Sequence, residues 1–127
     1  MALLLDAGAL IGFERGNRTV IAFIEVAQRE RVPVRTTTAA VAQVWRSGAL
    51  QARLARLLRG VDERGLDPSA ARRIGELLAS ARMADVVDGS IIDSAVSGDE
   101  VLTTDVGDLA ALAEVAGKQL TIVPVRA

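Results

Sequence analysis

Short apolar runs alternate with longer stretches of helical periodicity along this sequence, and no other feature restricts the fold as strongly. Strands are expected at 3–5, 32–36, 100–104 and 119–125, with an ambiguous edge strand at 61–66. A short helical piece follows the first strand, and helices are expected at 19–31, 38–45, 49–59, 67–81, 88–98 and 109–116. Such alternation is typical of parallel sheets with helices on both faces. We therefore expect an α/β fold, a three-layer sandwich around a mostly parallel sheet of four or five strands.

Several helix ends carry recognisable sequence signals. Asp67-Pro68 places a capping carboxylate before a proline, which is favoured at the first position of a helix. Thr37 or Thr38 can cap the helix after the second strand. Ser47-Gly48 interrupts the periodicity, so the leucines that follow define a new inward face. These leucines are Leu50, Leu54, Leu57 and Leu58.

The composition excludes several kinds of protein and site. With 127 residues, 50% of them hydrophobic, the chain suits one domain spanning 1–127 rather than two. The chain contains no cysteine or histidine, which excludes disulfides, thiolate metal sites and the histidine ligands that zinc usually takes. No apolar run approaches the roughly 20 residues of a membrane span, and no signal peptide is visible. A cytoplasmic protein that does not enter a membrane is therefore expected.

Two of the predicted strands run directly into an aspartate. Leu3-Leu4-Leu5 leads to Asp6, and Val101-Leu102-Thr103-Thr104 leads to Asp105. The carboxyl ends of parallel strands share one edge of a sheet, and a helix beginning at Asp88 should start at that edge too. Three carboxylates there repel one another unless a divalent cation neutralises them, and ligation by oxygen alone suits Mg²⁺ or Mn²⁺. Such a metal can activate water for the hydrolysis of a phosphodiester.

Each of these aspartates also has an ordinary structural interpretation. Asp6 and Asp105 could be turn residues. Asp88 could cap its helix, which would not prevent it from binding a metal. Asp108 could equally cap a helix or serve as an outer-shell or second-metal ligand.

Other charged residues are more typical of the surface. Asp85 suits a loop or a helix cap, and Asp93 lies about 140° around the helix from Asp88, so it is expected to be exposed. A row of arginines lies opposite the leucine face, either as a solvated surface or as a patch that follows phosphates. The row consists of Arg53, Arg56 and Arg59. Because the net charge is −1, any binding of a polyanion must come from such a local patch.

Three segments, taken in order, carry a family resemblance. The first is Leu4-Leu5-Asp6-Ala7-Gly8-Ala9-Leu10-Ile11, the second is Asp88 followed at helical spacing by Ile91, Ile92 and Ala95, and the third is Thr103-Thr104-Asp105 with Asp108-Leu109. With its spacing and chain length, this set resembles a PIN domain of the short stand-alone kind that is the toxin of VapBC-type toxin–antitoxin pairs. The resemblance spans the whole chain.

The resemblance implies a PIN-like fold and Mg²⁺- or Mn²⁺-dependent cleavage of single-stranded or looped RNA, leaving 5′-phosphate and 3′-hydroxyl ends. It implies that Asp6, Asp88 and Asp105 are the acids of the metal site, with Thr103 or Thr104 as hydroxyl support. It also implies a homodimer and a cognate antitoxin protein that lays a peptide into the active groove.

Two positions depart from the pattern of that family. A glutamate usual in the helix after the second strand is here Gln43, whose neutral oxygen could hold a metal-bound water but adds no charge. The hydroxyl residue often found two positions after the first aspartate is here Gly8. Glu14, past the Gly12 turn, is a candidate substitute acid. The alternative function is therefore a PIN-like domain with weak or no nuclease activity that binds RNA or a protein.

Overall fold

The computed structural model describes residues 1–126 and contains one five-stranded sheet. The strands are β1 (Leu3–Leu5), β2 (Val34–Thr37), β3 (Asp62–Arg64), β4 (Glu100–Thr103) and β5 (Thr121–Pro124). The helices are α1 (Ala7–Glu14), α2 (Arg18–Arg29), α3 (Thr38–Val44), α4 (Ala52–Leu58), α5 (Pro68–Ala81), α6 (Val86–Ser94) and α7 (Val106–Ala116). The strand order is β3-β2-β1-β4-β5, and every neighbouring pair is parallel.

The helices form two groups on opposite faces of the sheet. α1 packs against α2, α3 and α4, and α5, α6 and α7 pack against one another, while α3 also contacts α6. Right-handed crossovers from β1 to β2 and from β2 to β3 place the first group on one face. The crossovers into β4 and β5 run the other way across the sheet, so their helices lie on the other face. The three-layer α/β fold expected from the sequence is confirmed, with a fully parallel sheet.

β1 is the central strand, and it marks the point where the direction of strand addition reverses. Its residues Leu3, Leu4 and Leu5 are each 2% exposed or less. β2 and β3 lie in order on one side of β1, whereas β4 and then β5 lie on the other side. Open α/β sheets bind ligands outside the carboxyl ends of the strands at such a reversal. The crevice between the ends of β1 and β4 is therefore the place to look for a site.

The expected starts of two elements were wrong. β2 begins at Val34 instead of residue 32, because Pro33 has no amide to donate to a neighbouring strand. α4 begins at Ala52 instead of residue 49, because the buried Gln51 side chain holds the preceding loop by accepting hydrogen bonds from two backbone amides. These amides are those of Arg46, at 2.6 Å, and Ser47, at 2.9 Å. Leu50 lies in this loop and is 87% exposed, so its expected inward orientation was also wrong.

The limits of α6 also differ from those expected. Asp85 caps this helix instead of Asp88, because the Asp85 carboxylate accepts a hydrogen bond from the Asp88 amide at 3.0 Å. The helix ends at Ser94, well before Gly98, since Ala95 has an extended backbone. Asp88 consequently lies in the first turn of the helix, where its carboxylate is not needed for capping.

Other expectations for the second half of the chain had mixed outcomes. α5 begins after Asp67, whose carboxylate accepts from the Ala70 amide at 2.7 Å, and both the helix and its cap are confirmed. The ambiguous segment at 61–66 contains β3, which is an exposed edge strand.

Asp93 is half-buried rather than exposed, because it forms an ion pair with Arg73 at 3.0 Å. No helix within residues 1–126 has the length and apolar character needed to cross a membrane.

Candidate metal site

Asp6 follows β1 directly and is buried, with 3% of its surface exposed. Its carboxylate caps α1 by accepting a hydrogen bond from the Ala9 amide at 2.8 Å. Burial raises the pKa of Asp6, and hydrogen bonding from the Thr103 side chain and the Ala9 amide opposes that rise. The charge of Asp105 raises the pKa further, so these two acids are electrostatic neighbours.

A second set of acids lies at the same edge of the sheet. Asp88, Asp105 and Asp108 bring carboxylate oxygens to within 4.8 Å of one another, and we call these three residues the acid cluster. Asp88 is in the first turn of α6, Asp105 directly precedes α7, and Asp108 is in the first turn of α7. The Asp105 side chain makes no capping hydrogen bond, which leaves its carboxylate available. The structure therefore brings Asp108 together with two of the three aspartates proposed from the sequence.

The electrostatics of the acid cluster are those of carboxylates held too close together. Burial raises the pKa of Asp88 to about 7, and the charges of Asp85, Asp105 and Asp6 add to the effect. The charge of Asp105 likewise raises the pKa of the exposed Asp108. The amino ends of α1, α6 and α7 point toward these acids and partly offset the repulsion through their helix dipoles.

The donor set fits a divalent cation. Within residues 1–126, the aspartates that form ion pairs with arginine are Asp62, Asp93 and Asp99, all outside this site. Neither Asp6 nor any member of the acid cluster has a basic partner there. Several carboxylate oxygens at a site that lacks histidine and cysteine match the preference of Mg²⁺ or Mn²⁺ for oxygen ligands.

The two threonines at the end of β4 have different environments. Thr103 is fully buried and its hydroxyl accepts from the Asp105 amide at 2.7 Å, so it links Asp6 to the start of α7. Thr104 is exposed and lies directly over Gly8 in the first turn of α1. A Cβ atom at residue 8 would lie 2.9 Å from Thr104 Cγ2 and still closer to its hydroxyl. Sequence reasoning noted the glycine but missed this close approach, which no local pattern reveals.

The two candidate fourth ligands lie on other helices. Gln43 is exposed on α3. Glu14 is the last residue of α1, and its carboxylate accepts a hydrogen bond from Gln51 Nε2 at 3.1 Å. Since α1 has eight residues, Glu14 lies about 12 Å along the helix from Asp6. The structure thus does not bring Glu14 to the acid cluster.

Comparisons with known proteins support the fold. No family profile matches the chain, and no curated protein sequence matches it either. Sixteen chains of solved structures match, among them one from the crystal structure of VapBC2 from Rickettsia felis bound to a DNA fragment from their promoter. That match has a TM-score of 0.70 and 10% sequence identity, and it covers 97% of this chain and 99% of that one. At this identity the likeness establishes a shared fold, and the PIN-like fold expected from the sequence is confirmed.

Proposed function

We propose that this chain is a divalent-metal-dependent endoribonuclease that cleaves single-stranded or looped RNA, as the toxin of a toxin–antitoxin pair. The observation that supports this most directly is the acid cluster. It lies beside Asp6 at the reversal point of a parallel sheet, with no basic partner among residues 1–126. Burial and mutual repulsion make it unfavourable to hold these carboxylates together, and such an arrangement is typical of a site that binds a cation.

In this proposal each acid has a stated role. Asp6, Asp88 and Asp105 hold Mg²⁺ or Mn²⁺, and Asp108 is a further ligand. When bound, the metal supplies activated water and stabilises the charge that develops on the phosphate. Thr103 orients Asp6 and the start of α7 through its hydroxyl, while Asp85 fixes the position of Asp88 by capping α6.

The proposal that this chain is a toxin also implies binding partners. The solved neighbour comes from VapBC2, and by analogy we assign to this chain a cognate antitoxin protein as well as its RNA substrate. A single domain over 1–127, a homodimer and a cytoplasmic location belong to the same proposal. A small DNA-binding protein encoded directly upstream would support it.

Replacing Asp6 with asparagine tests the enzyme directly. Asparagine can still cap α1, so the fold should persist while one metal-binding charge is lost. We expect cleavage of a labelled single-stranded RNA by the purified chain with Mn²⁺ or Mg²⁺ to fall more than about 100-fold, and EDTA to stop it in the parent. Glu76→Gln, an exposed acid on α5, is the matched control and should cleave normally. Cleavage that is indifferent to both EDTA and Asp6→Asn would contradict the proposal.

A second candidate function is a PIN-like module that binds RNA or a protein without cutting RNA, and Gln43 is the observation that favours it. If residue 43 faces the metal, Gln43→Glu adds a charged ligand and should raise Mn²⁺ affinity about tenfold in calorimetry. Gln28→Glu adds the same charge on the exposed side of α2 and should leave affinity unchanged. Undetectable binding of millimolar Mn²⁺ to the parent chain would favour the binding module over the nuclease.

A further inference from the structure

Arginines from three separate segments meet around the turn between α1 and α2. Arg15 directly follows α1 and Arg18 begins α2, and both are exposed. The Arg53 guanidinium of α4 lies against this turn, with Nη1 3.0 Å from where a Cβ on Gly16 would be. The chain after β5 reaches the same place. There Asn17 Nδ2 donates a hydrogen bond to the carbonyl oxygen of residue 126 at 2.5 Å.

We call these arginines, together with the next one along α4, the basic surface. It consists of Arg15, Arg18, Arg53, Arg56 and Arg126. Arg53 and Arg56 also line a cavity of about 350 Å³ whose apolar lining includes Phe13 and Leu57. Glu25 is the acidic residue in that lining.

Within residues 1–126, no arginine of the basic surface forms an ion pair with a carboxylate, although Glu25 lines the same cavity as Arg53 and Arg56. Ion pairs within residues 1–126 use Arg35, Arg64 and Arg73, and none uses an arginine of this surface. In a chain with a net charge of −1, five unpaired arginines in one region form a local site for a polyanion.

The basic surface and the acid cluster lie at the same edge of the sheet. Asp6 and Arg15 flank the two ends of α1, so Arg15 lies about 14 Å along the helix from Asp6, which neighbours the acid cluster. At the other side, the Val125 amide donates to the Thr103 carbonyl at 2.8 Å. This hydrogen bond holds the segment that ends in Arg126 beside the end of β4. A strand of nucleic acid crossing this edge would meet both regions.

We propose that the basic surface binds the phosphates of a single-stranded RNA and delivers the strand to the acid cluster, which would otherwise repel it. This inference rests on the proposed function, since it names where that substrate binds. Arginine contacts to phosphates combined with an aromatic ring that can stack a base are the usual means of holding single strands, and Phe13 supplies the ring. Arg59 does not belong to this surface, because it lines a different cavity with Trp45 and Glu63.

The test measures binding without cleavage. A fluorescent oligonucleotide of 12 uridines is titrated with the full chain in EDTA, and anisotropy is followed over a range of salt concentrations. Arg53→Ala/Arg56→Ala should weaken binding about tenfold at low salt and reduce the slope of log K against log salt by about 1.4, or about 0.7 for each lost contact. Arg59→Ala is the matched control and should change neither quantity. The melting temperature of each variant is measured as well, and we expect these exposed substitutions to leave it unchanged.

The outcomes separate this inference from the proposed function. If the chain binds RNA through Arg53 and Arg56 but never cleaves it, the proposed role of the basic surface holds and the proposed nuclease activity is overturned. The proposed role of the basic surface would be overturned if the double variant bound RNA as tightly as the parent chain. It would also be overturned if Arg59→Ala lost as much RNA affinity as the double variant. A poly-glutamate peptide that binds more tightly than the RNA, through the same two arginines, would assign the surface to an acidic protein segment and overturn the proposal.

Discussion

Replacing Asp88 with asparagine is expected to stabilise the metal-free protein at pH 8 while abolishing metal-dependent cleavage. In the folded chain the pKa of Asp88 is raised to about 7 from an ordinary value of 3.8, mainly by burial. Between these two values the folded state holds more protons than the unfolded state, so stability falls as pH rises from about 4 to about 7. Above pH 7 the folded protein carries the full cost of the buried charge.

Asparagine removes that cost because it is neutral at every pH. After allowance for solvent screening we expect a gain of about 1 kcal/mol at pH 8, or roughly 4 °C in melting temperature in EDTA. The gain should vanish near pH 4, where the aspartate is itself protonated. Under the proposed function, cleavage should fall more than about 100-fold, because the proposed metal site has lost one charge.

A matched substitution on the same helix controls for helix effects. Asp93→Asn should keep cleavage and gain no stability at pH 8, because Asp93 loses an ion pair with Arg73 instead of a repulsion. A lower melting temperature for Asp88→Asn at pH 8 in EDTA would contradict the electrostatic account of the site. Adding Mg²⁺ or Mn²⁺ should stabilise the parent chain but not Asp88→Asn.

The second large effect is expected at Gly8, where a side chain has no room. In Gly8→Ala the new Cβ would overlap the Thr104 side chain, whose Cγ2 is 2.9 Å away. Overpacking of this kind costs about 1–3 kcal/mol, and relieving it requires Thr104 to move. Because Asp105 is the next residue, we expect a shift of Thr104 to reach the acid cluster, so that metal affinity falls together with the melting temperature.

A double substitution separates this clash from other effects of losing a glycine. Thr104→Ala removes the two closest atoms, so Gly8→Ala/Thr104→Ala should recover most of the stability lost in Gly8→Ala. Gly75→Ala, inside α5, has open space around the new methyl group and should be neutral or stabilising. Thermal melts and Mn²⁺ titrations of the four variants measure the coupling. Additive effects of the Gly8 and Thr104 substitutions would show that the two side chains do not compete for the same space.

The parts of this fold that the sequence predicted were those with a local physical cause. Leu3-Leu4-Leu5 has to be buried, Asp67-Pro68 has to start a helix, and strands alternating with helices have to pair in parallel. Asp6 and Asp105 were placed at one edge because strand ends in a parallel sheet share an edge.

The errors came from contacts between residues that are distant in sequence or from loop geometry. Gln51 holds the loop that exposes Leu50, and Arg73 reaches Asp93 from another helix. A choice between two aspartates as the cap of α6 depends on loop dihedral angles, which composition does not specify. That Asp88 and Asp105 lie together could be expected from the sequence, whereas the close approach of Thr104 to Gly8 required coordinates.

The pairing of β1 with β4 has a consequence for how this protein is made. Leu3 pairs with Glu100, so the two strands that frame the crevice are far apart in sequence. During translation Asp6 therefore leaves the ribosome long before Asp88, Asp105 and Asp108, and the crevice cannot close until β4 has been released as well. Contacts of such long sequence separation also form slowly. Under the proposed function, a nascent copy that lacks β4 and α7 is thus expected to cleave no RNA, and the proposed antitoxin has that interval in which to bind.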